Sequence, residues 1–395
     1  AKKISRNQLF AAISASLFLL LSGYSEAVYW ISASGFLFTA SFTLASLLSY
    51  ISWEEKRRPR YFIASIIFFT LSLLFHELGV VTPFLFLLYH AVFSKRVQIR
   101  AFVTDRQYRL LFLPLPLYLL VRTLAQSHWL SGDYNYNLFK LPLNAIGNAI
   151  GYFGLVLVGP FSSPVYQIVR NGLREHIVIA LGISAIFLVL IVYLHSIIYR
   201  ILDHDERKIY VFSLLFFFVS LLPFLGLGNM SPRYSYLSSV GVVFLFVLLL
   251  KKLFALLSGT GRSVGILSVV LVMSIFVLFQ LVQGRQAYSD WHEAGKKAKT
   301  FIVAIEGAYQ DHWAEEPMEF HLVNVPIRSG DAWVFPVGIS DALKLVTRNP
   351  NIGVTNWDSV SSALTAVGYT SRNRKIFEFG ADNTLTEIKN LRPSP

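Results

Sequence analysis

The sequence predicts an all-α polytopic membrane protein with about nine transmembrane helices, followed by a small α/β domain. Of its 395 residues, 54% are hydrophobic and only 15% are charged. Its mean hydropathy of +0.53 is well above that of a soluble domain. A helix needs roughly 20 apolar residues to cross the hydrocarbon core of a bilayer. Apolar runs near this length recur at residues 8–23, 28–50, 60–76, 78–93, 109–125, 176–198, 209–226, 236–254 and 263–283.

The connecting loops alternate between basic and weakly charged along the chain. One set is rich in lysine and arginine, as at 56–60, 95–109 and 251–262. The basic residues of the opposite loops before residue 283 are Lys140, Arg170, Arg174 and Arg233, with Arg122 near a helix end. Cytoplasmic loops carry the excess of lysine and arginine. The N-terminus is therefore predicted to be cytoplasmic and residues 285–395 extracytoplasmic.

The composition excludes several classes of protein. The net charge of +12 is concentrated at helix ends, where basic residues meet anionic membrane lipids, so nucleic acid is not an expected partner. The chain has no cysteine, which excludes disulfides, zinc–thiolate sites and a cysteine nucleophile. This absence favours a bacterial or archaeal cell membrane. The first apolar run lacks a small-residue cleavage site, and because the chain begins without Met we expect a segment before Ala1.

Two regions depart from simple membrane crossing. Residues 126–175 contain an apolar but glycine-rich stretch, NAIGNAIGYFGLVLVGPFSSP. Counting it as a span would invert the charge alternation downstream, so we predict a re-entrant or interfacial helix on the outer side. From residue 285 the composition is that of a soluble domain, which gives a membrane domain at 1–284 and an extracytoplasmic domain at 285–395. In the latter, the pattern predicts helices at 285–316 and 339–348 and strands at 318–326, 331–335 and 375–380.

Ionisable side chains near membrane depth are costly and therefore often functional. Four of them are predicted at outer helix ends, namely Glu26, His76, Glu77 and Arg233. Arginine presents a planar fork of donors that suits phosphate oxygens. A carboxylate can act as a general base or hold a divalent cation such as Mg²⁺ or Mn²⁺. Together these side chains would suit a phosphate-linked substrate, although the sequence assigns no metal ligands.

Simpler interpretations stay open for each residue. Glu26 can cap a helix N-terminus, where a negative charge gains about 0.3–1 kcal/mol. His76 and Glu77 can form a water-exposed turn, and Arg233 can anchor a helix end by reaching the interface. Aromatic residues at the same depth would form an interfacial belt on any membrane protein, and here these are Tyr24, Tyr29, Trp30, Tyr234 and Tyr236.

The segment LFLLLSGYSEAVYWISASGFLF resembles one in the GT-C-fold glycosyltransferases, in particular the transmembrane and tetratricopeptide-repeat O-mannosyltransferases and their bacterial relatives. In that family it reads roughly as an apolar helix, a His-Pro pair, Glu-x-Val-x-Trp-Ile-Ser and another apolar helix. The matching residues are Glu26, Val28, Trp30, Ile31 and Ser32.

Two later segments resemble the same family, and they follow in the family's order. FHELGVVTPF is similar to its Lys-Glu-x-x-x-x-x-Pro hairpin, with Glu77 and Pro83 matching. PRYSYLSSVG is similar to its Glu-Arg-Tyr-x-Tyr-x-Pro-Ser-x-Gly segment, and the matches there are Arg233, Tyr234, Tyr236, Ser239 and Gly241. The three segments lie within residues 8–255, and the resemblance covers most of this range.

The chain also departs from the family pattern. Ser22 and Gly23 replace the His-Pro pair, His76 replaces Lys, and the third segment has Pro232 for Glu and Ser238 for Pro. In the family the catalytic aspartate lies in the first outer loop, between two helices that would precede Ala1. The resemblance therefore implies a catalytic Asp upstream of Ala1. The tail lacks tetratricopeptide repeats, so the family's acceptor cannot be carried over.

The resemblance implies a membrane glycosyltransferase of the GT-C type with its active site on the outer face. It would move a sugar from a polyprenyl-phosphate-linked donor to a lipid, glycan or protein acceptor, in one displacement with inversion. Arg233 would neutralise the departing phosphate. The other expected substrate-binding residues are Glu26, His76, Glu77, Tyr234 and Tyr236.

Other functions are compatible with parts of this pattern. A lipid-linked polymerase or ligase is chemically close to the leading hypothesis. The alternative of a different class is a transporter or flippase of lipid-linked or anionic substrates, in which Glu26, Glu77 and Arg233 would be gates. Transporters usually place such groups near the midplane of inverted repeats, and the sequence shows no internal repeat. A scaffold that presents the outer domain is a third hypothesis.

Overall fold

The computed structural model describes residues 1–94, 104–126, 140–335, 338–368, 370–371, 373–380 and 384–389. Residues 95–103 of the predicted basic loop at 95–109, and residues 127–139 of the predicted outer stretch, lie outside the described residues. The chain divides into two compact units, residues 1–285 and 286–395. The predicted boundary lies within one residue of this division.

The described secondary structure of the first unit is almost entirely helical. Short 3₁₀ turns lie at Ile31–Ala33, Glu77–Val81 and Pro232–Tyr234. Helix α14 continues into the second unit. The helices are α1 (Lys2–Ser5), α2 (Gln8–Leu20), α3 (Ser25–Tyr29), α4 (Ser34–Lys56), α5 (Pro59–Phe75), α6 (Thr82–Phe93), α7 (Arg106–Phe112), α8 (Pro114–Leu124), α9 (Leu141–Val158), α10 (Ser162–Glu175), α11 (Ile177–Ile201), α12 (His204–Leu225), α13 (Ser235–Ser258) and α14 (Arg262–Ala308).

Length and composition agree with a helical membrane protein, as the sequence predicts. Among the described residues, six helical segments are long and apolar enough to cross a bilayer: Ile31–Lys56, Leu141–Val158, Leu181–Ile201, His204–Leu225, Pro232–Ser258 and Arg262–Ala308. Three shorter apolar helices, Gln8–Leu20, Pro59–Phe75 and Glu77–Phe93, fall on three further predicted runs. The run at 109–125 is not one helix. It breaks between α7 and α8 at Pro114, because proline has no N–H to donate to the preceding turn.

The two ends of the helical bundle differ in their turns. One end is formed by residues 21–33, 76–81 and 226–234, and we call it the Glu26 end. Consecutive long helices alternate in direction, so the opposite end contains the helix termini near Arg57 and Lys252. There Arg57 donates to the Tyr108 hydroxyl at 3.2 Å, and Glu206 pairs with Lys252. We call this the Lys252 end.

Helix α9 lies along the Glu26 end. Near its start Asn144 donates to the Gly226 carbonyl at 3.3 Å, and at mid-helix the Tyr152 hydroxyl accepts the N–H of Ser231 at 3.2 Å. Its last residue, Val158, accepts from the Gln283 side chain. Eighteen residues extend about 27 Å. A crossing helix would bring one end to the Lys252 end, whereas every contact described here is to the Glu26 end. The contacts therefore favour the predicted interfacial arrangement, although length and composition alone would also permit a span.

Labelling of single cysteines tests this arrangement on a background that has no cysteine. We expect Lys140→Cys and Asn171→Cys, which flank α9 on exposed positions, to react with an impermeant maleimide from the same side of the membrane. Ser361→Cys should react from that side in intact cells, and Thr260→Cys only after permeabilisation. Reaction of Lys140→Cys and Asn171→Cys from opposite sides would show that α9 crosses the bilayer.

The second unit is a small α/β fold, which confirms the predicted class of the C-terminal region. Its main sheet has the strand order β4-β1-β5-β6, with β1, β4 and β5 parallel and β6 antiparallel to β5. A two-stranded ribbon, β2–β3, follows β1. The elements are α15 (His312–Glu315), β1 (Met318–Val323), β2 (Arg328–Ser329), β3 (Ala332–Trp333), α16 (Ile339–Thr347), β4 (Ile352–Trp357), α17 (Val360–Val367), β5 (Arg374–Phe379) and β6 (Leu385–Ile388).

Successive side chains of β1 point to opposite faces of the sheet and pack into two hydrophobic cores, one on each face. Phe320 and Leu322 are buried with Phe301 of α14 and Leu343 of α16, whereas Val323 packs with α17 on the other face. This is the arrangement expected when successive crossover helices cover opposite faces of a parallel sheet. The strands predicted at 318–326 and 375–380 and the helix at 339–348 are present. The strand predicted at 331–335 is reduced to two residues, and the helix predicted at 285–316 ends at Ala308.

Candidate functional site

Glu26 lies in the first turn of α3 and is 3% exposed. Its carboxylate forms an ion pair with the Arg233 guanidinium. Its other oxygen accepts the Ser231 hydroxyl at 2.6 Å and the backbone N–H of Arg233 at 3.3 Å. Glu26 thus contacts the N-terminus of the 3₁₀ turn Pro232–Tyr234, which is distant in sequence. The simple interpretation that Glu26 caps the helix that contains it does not account for these contacts.

Arg233 is held by aromatic rings as well as by charge. Its guanidinium carbon lies 5.3 Å from the centre of the Trp30 ring and 4.9 Å from that of Tyr234. The Tyr234 ring is in turn stacked on Phe224, with ring centres 4.0 Å apart and planes within 2° of parallel. The Arg233 side chain remains 23% exposed. A fixed guanidinium with an accessible edge is suited to binding an anion.

The second predicted pair of residues lies at the same end of the bundle. Glu77 begins the 3₁₀ turn between α5 and α6, and its carboxylate accepts from Arg122 at 2.6 Å. Arg122 also donates to the Tyr118 hydroxyl at 2.8 Å. The sequence pattern identifies Arg122 only as a residue near a helix end, and the structure shows it as the partner of Glu77.

An aromatic ring packs between His76 and Tyr234, which precede Glu77 and follow Arg233 in the sequence. The Phe36 ring lies 4.0 Å from the His76 ring and 5.5 Å from the Tyr234 ring, measured between ring centres. The structure therefore brings Glu26 and Arg233 into direct contact, and places His76 one aromatic ring away from Tyr234. Glu77 forms an ion pair with Arg122 instead. The predicted charges thus form two separate pairs at one end of the bundle.

The predicted Tyr236 has a different environment from Tyr234. Its ring meets Tyr24 edge to face at 4.7 Å and Phe18 at 5.3 Å. Phe18 lines an apolar cavity of about 400 Å³ between α2, α4, α12 and α13, which extends along α2 as far as Lys3. Tyr24 and Tyr236 therefore both contact a residue that lines this cavity.

Several amide side chains that were not predicted from the sequence hold α9 in place. Asn148 donates to the Leu225 and Leu227 carbonyls at 2.9 and 3.0 Å. Arg170 of α10 donates to Asn144 at 3.1 Å and to Asn148 at 2.9 Å. Asparagines within an apolar stretch are the signal that could have identified this network, because such groups need partners inside the bundle.

Two glutamines of α14 bind the other end of α9. Gln280 accepts the N–H of Ser22 at 2.9 Å and donates to the Leu157 carbonyl at 3.0 Å. Gln283 accepts the Phe161 N–H at 2.9 Å. Gly159 has φ +85°, and a Cβ there would lie 2.6 Å from atoms of Gln283 and Ser22. The turn after α9 therefore requires glycine for both conformation and space.

The described residues do not form a metal site by themselves. Among them, no group of three His, Asp or Glu side chains is close enough to hold an ion. The two carboxylates at the Glu26 end accept from arginines instead.

No protein-family model, curated protein or solved structure matches the chain.

Proposed function

We propose that this protein is a membrane glycosyltransferase that takes its sugar from a polyprenyl-phosphate donor and acts at the Glu26 end. The observation that carries the proposal is the Arg233 guanidinium, which is fixed by Glu26 and two aromatic rings yet is 23% exposed. An arginine has five N–H donors in a rigid fork. Among the described residues Glu26 and Tyr234 accept from its two terminal nitrogens, so further donors remain for phosphate oxygens.

The apolar cavity is evidence in favour of a lipid-linked substrate. It is lined in part by Phe18, whose ring contacts Tyr24 and Tyr236. A prenyl chain gains about 0.8 kcal/mol for each buried CH₂. A lipid tail in this cavity would place its phosphate at the level of the Arg233 turn.

In the proposed reaction the acceptor oxygen attacks the anomeric carbon from the side opposite the phosphate. The bond from that carbon to the phosphate oxygen breaks, and its electron pair leaves with the phosphate. Arg233 stabilises this charge, which grows as the bond breaks, and such stabilisation accelerates the reaction. The acceptor proton goes to a carboxylate base, which the family resemblance expects to be an aspartate.

The location of the charges argues against a transporter. Transporters bind substrates near the membrane midplane, commonly where helices are discontinuous. Here both ion pairs, Glu26–Arg233 and Glu77–Arg122, lie in or beside turns at one end of the bundle. The proposed orientation follows from the positive-inside rule: the Lys252 end is cytoplasmic and the Glu26 end is outside. Glycosyl transfer would then occur on the outer face.

Binding of a short-chain prenyl-phosphate hexose to the full chain in nanodiscs tests the proposal. We expect Arg233→Lys to weaken binding by roughly tenfold or more, because lysine keeps the charge but loses the planar fork. Arg207→Lys is the matched control. Arg207 lies over the Tyr199 ring at 4.8 Å and donates to its carbonyl at 2.9 Å, but it belongs to the Lys252 end.

The two variants separate the possible results. Weaker binding in Arg233→Lys with unchanged binding in Arg207→Lys supports a phosphate site at the Glu26 end. Equal binding in both variants and the wild type would show that Arg233 does not belong to the phosphate site. The proposed function itself is wrong if the wild-type chain binds no prenyl-phosphate sugar.

A further inference from the structure

The β2–β3 ribbon of the second unit runs alongside helix α14. After β3, the Phe335 ring contacts Phe301 of α14, with ring centres 5.1 Å apart. At the turn between the two strands, the backbone N–H of Asp331 donates to the Asp290 carboxylate at 3.2 Å. Asp290 precedes Phe301 by about three turns of the same helix, which is about 16 Å. The turn is therefore the part of the ribbon that lies nearest to the start of the unit.

The turn is held closely on α14. Gly330 has φ +58°, and a Cβ at this position would lie 2.6 Å from the Asp290 carboxylate. Asp290 also accepts from the side chain of Gln286 at 2.9 Å, one helical turn earlier. The ribbon thus requires glycine here both for the conformation of the turn and for its approach to Asp290. Its position along the helix is fixed.

The course of α14 places this turn near the membrane surface. The last predicted apolar run ends at residue 283, and Asp290 follows it after about two helical turns, or about 10 Å of helix. On each side of a bilayer the headgroup layer adds roughly 5–7 Å to the hydrocarbon core. Asp290 and the ribbon turn bound to it therefore lie at the level of the lipid headgroups or just outside it.

The side chains at this level are of the types found at membrane interfaces. Arg328 is exposed, and its guanidinium carbon lies 3.5 Å from the centre of the Trp333 ring. Ile327, which precedes Arg328, is 60% exposed, and Tyr288 of α14 is 55% exposed. Tryptophan and tyrosine are enriched at membrane interfaces, and arginine suits phosphate oxygens because of its planar fork of donors. This combination matches a phospholipid headgroup above the ends of its acyl chains.

We propose that the ribbon turn, residues 327–333, binds phospholipid headgroups of the leaflet from which α14 emerges. The Arg328 guanidinium, stacked on Trp333, binds a lipid phosphate. Ile327 and Tyr288 pack among the headgroups, where apolar and aromatic side chains gain from leaving water. The unit then contacts the bilayer through the ribbon as well as through α14, and this second contact fixes its orientation to the membrane surface.

Fluorescence quenching tests this contact on the full chain, which has no cysteine of its own. Ile327→Cys is labelled with an NBD fluorophore in nanodiscs that contain phosphatidylglycerol and a lipid with a nitroxide on its headgroup. The reference is the same label at Leu345→Cys, since Leu345 is 81% exposed but lies on α16, which packs in the core around Phe301. We expect quenching at 327 to exceed that at 345 by at least about threefold, because Phe301 is about 16 Å farther along α14 than the ribbon turn.

A titration tests the role of Arg328 in binding the phosphate. The labelled Ile327→Cys chain in maltoside micelles is titrated with phosphatidylglycerol, and the NBD emission reports binding at the turn. We expect Arg328→Gln to raise the half-saturating lipid concentration by about fivefold, the usual contribution of one arginine near an anionic lipid surface. Arg348→Gln is the matched control, because Arg348 is an exposed arginine of the same unit at the end of α16. It should leave the titration unchanged.

Each result bears on the proposed contact. Quenching at 327 no greater than at 345 would show that the ribbon turn does not reach the bilayer. A blue-shifted emission at 327 without nitroxide quenching would mean that protein covers the turn, which also contradicts lipid binding. Equal shifts of the titration in Arg328→Gln and Arg348→Gln would show a general effect of charge, and Arg328 would not be the phosphate ligand. Neither measurement uses a sugar donor, so both are independent of the proposed function.

Discussion

Replacing Glu26 with alanine is expected to destabilise the first unit by about 3 kcal/mol. The variant leaves the Arg233 guanidinium without its carboxylate, and the Ser231 hydroxyl and the Arg233 N–H lose their acceptor. Removing one partner of a buried ion pair typically costs about 3–5 kcal/mol. We place the effect at the lower limit because the Arg233 side chain is 23% exposed.

Thermal unfolding of the full chain in detergent measures this effect. Adding Arg233→Met to Glu26→Ala should recover part of the lost stability, since the uncompensated charge is then removed. Asp205→Ala is the control, because Asp205 pairs with Lys208 at 3.7 Å but is 89% exposed, and such pairs contribute little. An effect of Glu26→Ala no larger than that of Asp205→Ala would contradict a buried ion pair.

Much of the membrane part could be predicted because its signals are local. An apolar run identifies a helix without reference to any other segment, and α12 and α13 fall where such runs predict them. The break at Pro114 was not predicted, although a proline within a helix removes a hydrogen bond and so carries a local signal. The number of crossings could not be predicted from the apolar runs alone, because a helix that lies on the bundle can be as apolar as one that crosses the bilayer.

The partners in the site could not be predicted because they come from distant segments. Arg233 was predicted to serve the same site as Glu26, on the basis that both lie at outer helix ends. Nothing in the sequence linked Glu77 to Arg122, which lies 45 residues later in another helix. Gln280 and Gln283 were not predicted as binding residues because they lie within or at the end of an apolar run. The structure shows that they bind the end of α9.

In the second unit the missed elements are short or lie at the edge of the sheet. β4 is an edge strand with several exposed side chains, so it lacks the apolar alternation that identified β1. β6 is the other edge and has four residues. α17 has eight residues and lies close to the lower length at which a helical period can be recognised.

Gly23 provides a direct test of how α9 is seated. A Cβ at Gly23 would lie 2.3 Å from the Leu155 carbonyl oxygen and 3.3 Å from the Val156 Cα. Because these atoms belong to the backbone of α9, a side-chain rotation cannot relieve the overlap, and the helix itself must move. This close approach explains why the chain has glycine at position 23.

We expect Gly23→Ala to lower stability by about 3 kcal/mol, the upper part of the range for overpacking, and to weaken binding of the prenyl-phosphate hexose. Moving α9 would also displace Tyr152, whose hydroxyl accepts the Ser231 N–H beside Glu26. Thermal unfolding and donor binding should therefore change together. Gly172→Ala in α10 is the matched control, since a Cβ there meets nothing within 4 Å and alanine favours a helix by about 1 kcal/mol. Wild-type stability and binding in Gly23→Ala would mean that α9 does not rest on this turn, and the amide contacts that locate it at the Glu26 end would lose their support.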